Sequence, residues 1–109
     1  MNMEQEEKKQ YSVVIPAADI IEENDKATVY FEVPGANAQT VSVDVKNSTL
    51  TVEAESCLER HGKQVLFKRS FELSDAVDVD KIKAKTQDGI LKLTIPKSES
   101  AQVKKITVE

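Results

Sequence analysis

The chain has no tryptophan, and aromatics make up only 5% of its 109 residues. Any core it builds must therefore be aliphatic. It has one cysteine, Cys57, and one histidine, His61. A lone cysteine excludes an internal disulfide and fits a reducing compartment. The cysteine and histidine together fall short of the four ligands that structural zinc takes, so no metal is expected. No apolar run approaches the roughly 20 residues of a membrane helix, and the N-terminus is charged where a signal sequence would be apolar. A soluble, cytoplasmic protein without a membrane span is expected. Excess positive charge is missing as well: the formal net charge is −4, which argues against a nucleic-acid partner. There is no phosphate-cradling glycine loop, so neither ATP nor another cofactor is expected. No segment has a helical period.

What the chain does have is alternation. In residues 84–97 a tight turn at Asp88-Gly89 leads into a strand in which Leu91, Leu93 and Ile95 share one face and Lys92 and Thr94 the other, closed by Pro96. Ala27, Val29, Phe31 and Val33 repeat the pattern before Pro34-Gly35. Val41, Val43 and Val45 lead through Asn47-Ser48 into Leu50, Val52 and Ala54, which predicts a hairpin. Residues 65–73 predict a longer strand with Val65, Phe67, Arg69, Phe71 and Leu73 on one side. Ile82 and Ala84 begin the strand that enters the Asp88-Gly89 turn. Residues 16–23 predict a brief strand opened by proline, 56–64 a loop, 1–10 a disordered arm, and 11–15 an apolar segment able to pair at a sheet edge. Many short strands separated by turns imply an all-β, antiparallel, immunoglobulin-like sandwich of one domain.

Catalytic constellations are scarce. Cys57 and His61, with Glu59 between them, lie in the predicted loop, which supplies neither a fixed hydrogen bond nor an oxyanion hole. The pair reads as an exposed loop, and no catalytic residue is assigned. Asp75, Asp78 and Asp80 lack the glycine and the closing glutamate of a calcium loop and read as turn residues.

Three features call for more than core packing. Arg69 shares a strand face with two phenylalanines, so it must be paired, lie at an interface or reach solvent, because an unpaired buried charge is costly. Ile106 and Val108 sit at strand spacing beyond a polar stretch and suit insertion at a sheet edge. Burying both gains roughly 3–6 kcal/mol, while ordering the tail costs about 1–2 kcal/mol per residue, so docking is weak and reversible. Residues 97–105, if extended, span on the order of 30 Å. The third feature is the Val41, Val43, Val45 strand with Ile82 and Ala84, read first as core.

These residues resemble the α-crystallin domain of small heat shock proteins. Ala84, Asp88, Gly89 and Leu91 stand at the spacing of that family's signature, followed by a strand and Pro96-Lys97. Pro16, Asp19, Ile20 and Glu22 resemble the start of the domain, and Glu32-Val33-Pro34-Gly35 its next landmark. Phe67-Lys68-Arg69-Ser70-Phe71 is similar to the strand bearing the family's arginine, and residues 78–84 complete the match, which runs from about 16 to 97. The resemblance implies an arm at 1–15, an α-crystallin domain at 16–97 and a flexible extension at 98–109. It implies an ATP-independent holdase whose partners are partly unfolded clients and other copies of the chain. In the family an Ile-x-Ile/Val segment docks on another subunit. That puts Ile106 and Val108 in a groove lined by Val41, Val43, Val45, Ile82 and Ala84, with Arg69 as the interface or structural arginine.

Two departures bear on assembly. The arm is shorter and more polar than the family's, which implies smaller oligomers and weaker client capture. The 56–64 loop is also short where many members carry a strand that swaps between partners, which leaves the edge at 19–22 unpaired. Both departures bring the chain closer to the alternative reading, a p23-like co-chaperone that binds a partner chaperone as a monomer. The signature turn and the Ile-x-Val segment favour the heat shock reading.

Overall fold

The computed structural model describes residues 10–109. Eight strands follow one another: β1 (Tyr11–Val14), β2 (Ala18–Glu22), β3 (Lys26–Glu32), β4 (Val41–Lys46), β5 (Thr49–Arg60), β6 (Lys63–Glu72), β7 (Lys83–Gln87) and β8 (Ile90–Pro96). Three of the turns between them use two consecutive residues with positive φ: Asn47 (50°) with Ser48 (63°), His61 (57°) with Gly62 (75°), and Asp88 (51°) with Gly89 (76°). Such turns match the right-handed twist of the flanking strands and so close tight hairpins. They join β4 to β5, β5 to β6 and β7 to β8. These three pairs need no crossover, whereas β1 reaches β6, and β3 reaches β8, only after the chain has passed through other strands.

The strands form two four-stranded sheets, ordered β1-β6-β5-β4 and β2-β3-β8-β7. Every pairing is antiparallel except β1 with β6, which is parallel. The two inner strands of each sheet supply most of the core. Val29 and Phe31 from β3, Leu50, Val52 and Ala54 from β5, Val65 and Phe67 from β6, and Leu91, Leu93 and Ile95 from β8 form one buried cluster. Each large aliphatic or aromatic side chain so buried contributes about 1.5–3 kcal/mol. The predicted sandwich and the predicted faces of these strands are what the structure contains.

Several boundaries differ from the sequence reading. Residues 56–64 are a hairpin and not a loop: β5 runs to Arg60 and β6 begins at Lys63, with a register shift between Glu55 and Glu59. Residues 57–63 are exposed, so this extension has no facing sheet to impose alternation and its sequence conceals the pairing. Pro16 does not open β2. It lies fully buried at the corner where the chain leaves β1 for β2. Ile82 precedes β7, following a 3-10 turn at Val79–Lys81, and packs half-buried against the core. Of the disordered arm expected at 1–10, residues 1–9 lie outside the described residues; in the apolar segment expected to be able to pair at a sheet edge, 11–14 form β1 at the edge of its sheet.

The stretch after β8 also departs from a free linker. The backbone N–H of Lys97 donates to the Asp25 carbonyl at 2.8 Å and that of Ser98 to the Ala76 carbonyl at 2.7 Å. A 3-10 turn follows at Glu99–Ala101, and Val103 is hydrogen-bonded to Asn24. Polar composition conceals these contacts because they are made by backbone and amide groups, which have no hydrophobic pattern.

Candidate functional site

A β-sandwich has two lateral sides, and here they are built differently. On one side β1 and β2 are linked through Pro16, whose carbonyl accepts a hydrogen bond from Arg69 Nη1 at 3.2 Å. The same guanidinium lies 5.0 Å from the centroid of the Phe71 ring, and Phe71 in turn sits 5.6 Å from Phe31 in the core. Arg69 is therefore paired through a carbonyl and an aromatic face, and with no carboxylate among the described residues. Further along, the Tyr11 hydroxyl donates to the Glu55 carboxylate across β6. That hydrogen bond, then burial, then the negative charges of Glu55 and Glu53 hold the Tyr11 phenol above its ordinary pKa.

On the other side β4 and β7 are each the last strand of their sheet, and no connection crosses between them. A cavity of about 280 Å³ opens there, lined by Ala38, Val41, Val43, Ala84, Lys85, Thr86 and Leu91. It falls at the lower limit of the roughly 300–1,000 Å³ typical of small-molecule sites, a size suited to a few aliphatic side chains. Val41 and Val43 reach it because alternate residues of β4 face inward, and both are half-buried. Ala84 and Thr86 share one face of β7, as i and i+2 must. The small side chain of Ala84 leaves the slot open, and its walls present unpaired backbone groups of two edge strands.

The predicted groove residues are thus split. Val41, Val43 and Ala84 meet in the slot, joined by Leu91 of the signature turn, whereas Val45 and Ile82 pack against the core beside it. Asp88 and Gly89 form the turn of the β7–β8 hairpin. Ala38, Lys85 and Thr86 were not anticipated; Thr86 could have been found from its two-residue spacing to Ala84. Lysines at 83 and 85 flank the edge, a composition that discourages indiscriminate strand addition. Ile106 and Val108 are 85% and 90% exposed and touch no part of the slot in this chain.

Two larger concavities, about 480 and 500 Å³, share Glu32 and Ile90 near the Asp88-Gly89 turn. They are shallow, carry carboxylates and have no two facing strand edges. The outer edge of β2 is likewise free of a neighbouring strand and shows Ile20 and Ile21 about half exposed. Leu58 is similarly exposed on the β5–β6 extension. Cys57 is exposed, and His61 occupies the turn. Among the described residues no group of three or more His, Cys, Asp or Glu is placed to hold a metal ion. None of the helices among them is long and apolar enough to cross a membrane.

Comparison with known proteins agrees with this architecture. The chain is 37% identical over 98 residues to the 18 kDa antigen 2 of Mycobacterium avium, an alignment covering 83% of this chain and 71% of that protein. It is 35% identical over 91 residues to the 18 kDa antigen 1 of the same organism, covering 76% of this chain and 62% of the antigen. The chain thus spans only part of the length of these relatives. Heat shock protein 16.0 from Schizosaccharomyces pombe superposes with a TM-score of 0.69 at 28% identity, covering 88% of this chain and 99% of that one. Residues 19–109 match a family of small heat shock proteins, chaperones that act without ATP and are not enzymes. With its sandwich, its signature turn and this match in agreement, the chain belongs to the Hsp20/alpha crystallin family.

Proposed function

We propose that this protein is an ATP-independent holdase that binds partly unfolded proteins and limits their aggregation, and that it assembles with other copies of itself. The observation that carries this reading is the open slot between the β4 and β7 edges, apolar along Val41, Val43 and Leu91. A rigid sandwich with unpaired edges and exposed Ile20, Ile21 and Leu58 captures extended apolar segments by backbone pairing and burial, without chemistry. In the assembly Ile106 and Val108 occupy the slot. Because their docking is weak, a client segment can displace them.

The test is light scattering from a heated test enzyme, without ATP, at rising amounts of this protein. Suppression is expected, and its absence at several-fold molar excess overturns the holdase reading. Ile106→Ala with Val108→Ala should lower the oligomer mass measured by light scattering after gel filtration. An unchanged mass removes the tail from the slot.

A further inference from the structure

The chain leaves β8 at Lys97 and returns six residues later to the place it left. Lys97 is held at the β2–β3 turn by its backbone N–H on the Asp25 carbonyl and by its Nζ on the Glu23 carbonyl, each at 2.8 Å. Val103 is held at the same turn: its N–H donates to Asn24 Oδ1 at 2.7 Å, and Asn24 Nδ2 donates to the Val103 carbonyl at 3.4 Å. The amide of Asn24 thus reads both polar groups of one peptide position, as a neighbouring strand would. Residues 98–102 form a closed loop and contribute nothing to the reach of the tail.

That loss of reach decides where the tail can go. Asn24 lies at the β2–β3 turn, on the far side of the sheet from β7, whose order is β2-β3-β8-β7. At about 4.8 Å per strand the lateral distance is roughly 12–14 Å. The turn end of the sheet is marked by the Lys26–Pro96 pair, while Ala84 and Thr86 in the slot oppose Leu93 and Leu91. Those positions lie three to five residues inward, roughly 10–17 Å at 3.3 Å per residue. The slot is therefore roughly 16–22 Å from the Val103 anchor in a straight line. Ile106 is three residues beyond Val103 and reaches about 11 Å at most, and Val108, five beyond, reaches about 18 Å, so the two cannot enter the slot together. Counted from Lys97, the same residue would reach about 30 Å. The clasp turns a tail that could fold back into one that cannot.

We infer that Asn24 is a positioning residue which, by clasping Val103, prevents Ile106 and Val108 from filling the slot of their own chain and commits them to the slot of a second copy. The inference rests on the docking reading of the slot given above. It makes assembly a consequence of an exposed asparagine remote from both the motif and the groove.

The experiment uses the full chain with Cys57→Ser, Thr107→Cys and Lys85→Cys, so that a mild oxidant links a docked tail to the slot lip. With Asn24 present, linked products between chains are expected. With Asn24→Ala, links within one chain should rise several-fold, and Asn24→Asp, which keeps the acceptor for the Val103 N–H, should fall between. Amide exchange at Val103, slow relative to Lys105 when Asn24 is present and fast in Asn24→Ala, supports the clasp without any activity readout. Links within one chain despite Asn24, or a Val103 amide that exchanges as fast as Lys105, overturn the inference. If no link of either kind forms while Val103 stays protected, the docking reading has failed, and the commitment to a second copy fails with it.

Discussion

The two lateral sides of this sandwich start from the same materials, an edge strand in each sheet, and end in opposite states. On the β1/β2 side three residues carry the chain from one sheet to the other, Pro16 is buried in the corner, and Arg69 ties the corner to Phe71. On the β4/β7 side no connection joins the two edge strands directly, and a slot remains. The lesson is that an arginine on an apolar face and an alanine on an edge strand are paired opposites. One supplies the reach and the donors to close a side, and the other is too small to close its own.

Opening the closed side should have the largest effect. Arg69→Ala removes a charge-assisted hydrogen bond and a cation–π contact, and should cost about 1–3 kcal/mol by denaturant unfolding. Arg69→Lys, which keeps the charge without the planar fork, should recover only part of that. Unchanged stability for Arg69→Ala would mean that the corner holds through Pro16 alone.

Filling the open side should do the reverse. Ala84→Trp places a large side chain in the slot at an exposed position, so stability should stay within about 0.5 kcal/mol while the oligomer mass falls towards that of a single chain. A variant that keeps its mass would separate assembly from the slot.

The smallest effect belongs to Tyr11, which pins β1 through Glu55 on the closed side. Its folded pKa lies above its ordinary value near 10, so the folded state holds the phenolic proton more tightly than the unfolded one. The stability this provides is complete below the unfolded value of about 10 and is lost as pH rises from there through the higher folded value. Glu55→Gln should move the Tyr11 ring titration downward, followed by NMR. A titration that does not move would put the cause elsewhere.

Much of this arrangement could be read from residues alone. The alternation of Val29 and Phe31, of Leu50, Val52 and Ala54, and of Leu91, Leu93 and Ile95 is a local record of which face is buried, since a strand's side chains alternate with period two. Asn47-Ser48 and Asp88-Gly89 announce their turns because few residues tolerate positive φ. The signature at Ala84, Asp88, Gly89 and Leu91 pointed to the family. The hairpin through His61-Gly62 is not legible in the sequence because residues 57–63 are exposed and have no apolar pattern to alternate. The attachment of residues 97–103 is hidden for a related reason: amide and carbonyl groups make it, and nearly every residue has those.

By itself the sequence determined the fold class, the strand faces and the turn positions, because each depends on neighbours within a few residues. Only the tertiary structure decided that β1 joins β6 in parallel, that Arg69 is paired with the Pro16 carbonyl, that Val41 and Val43 meet Ala84 across an open slot, and that Asn24 holds Val103. Those four facts join residues between 41 and 79 positions apart. Contacts at such separations depend on how two sheets stack and where their edges fall, which local periodicity does not encode.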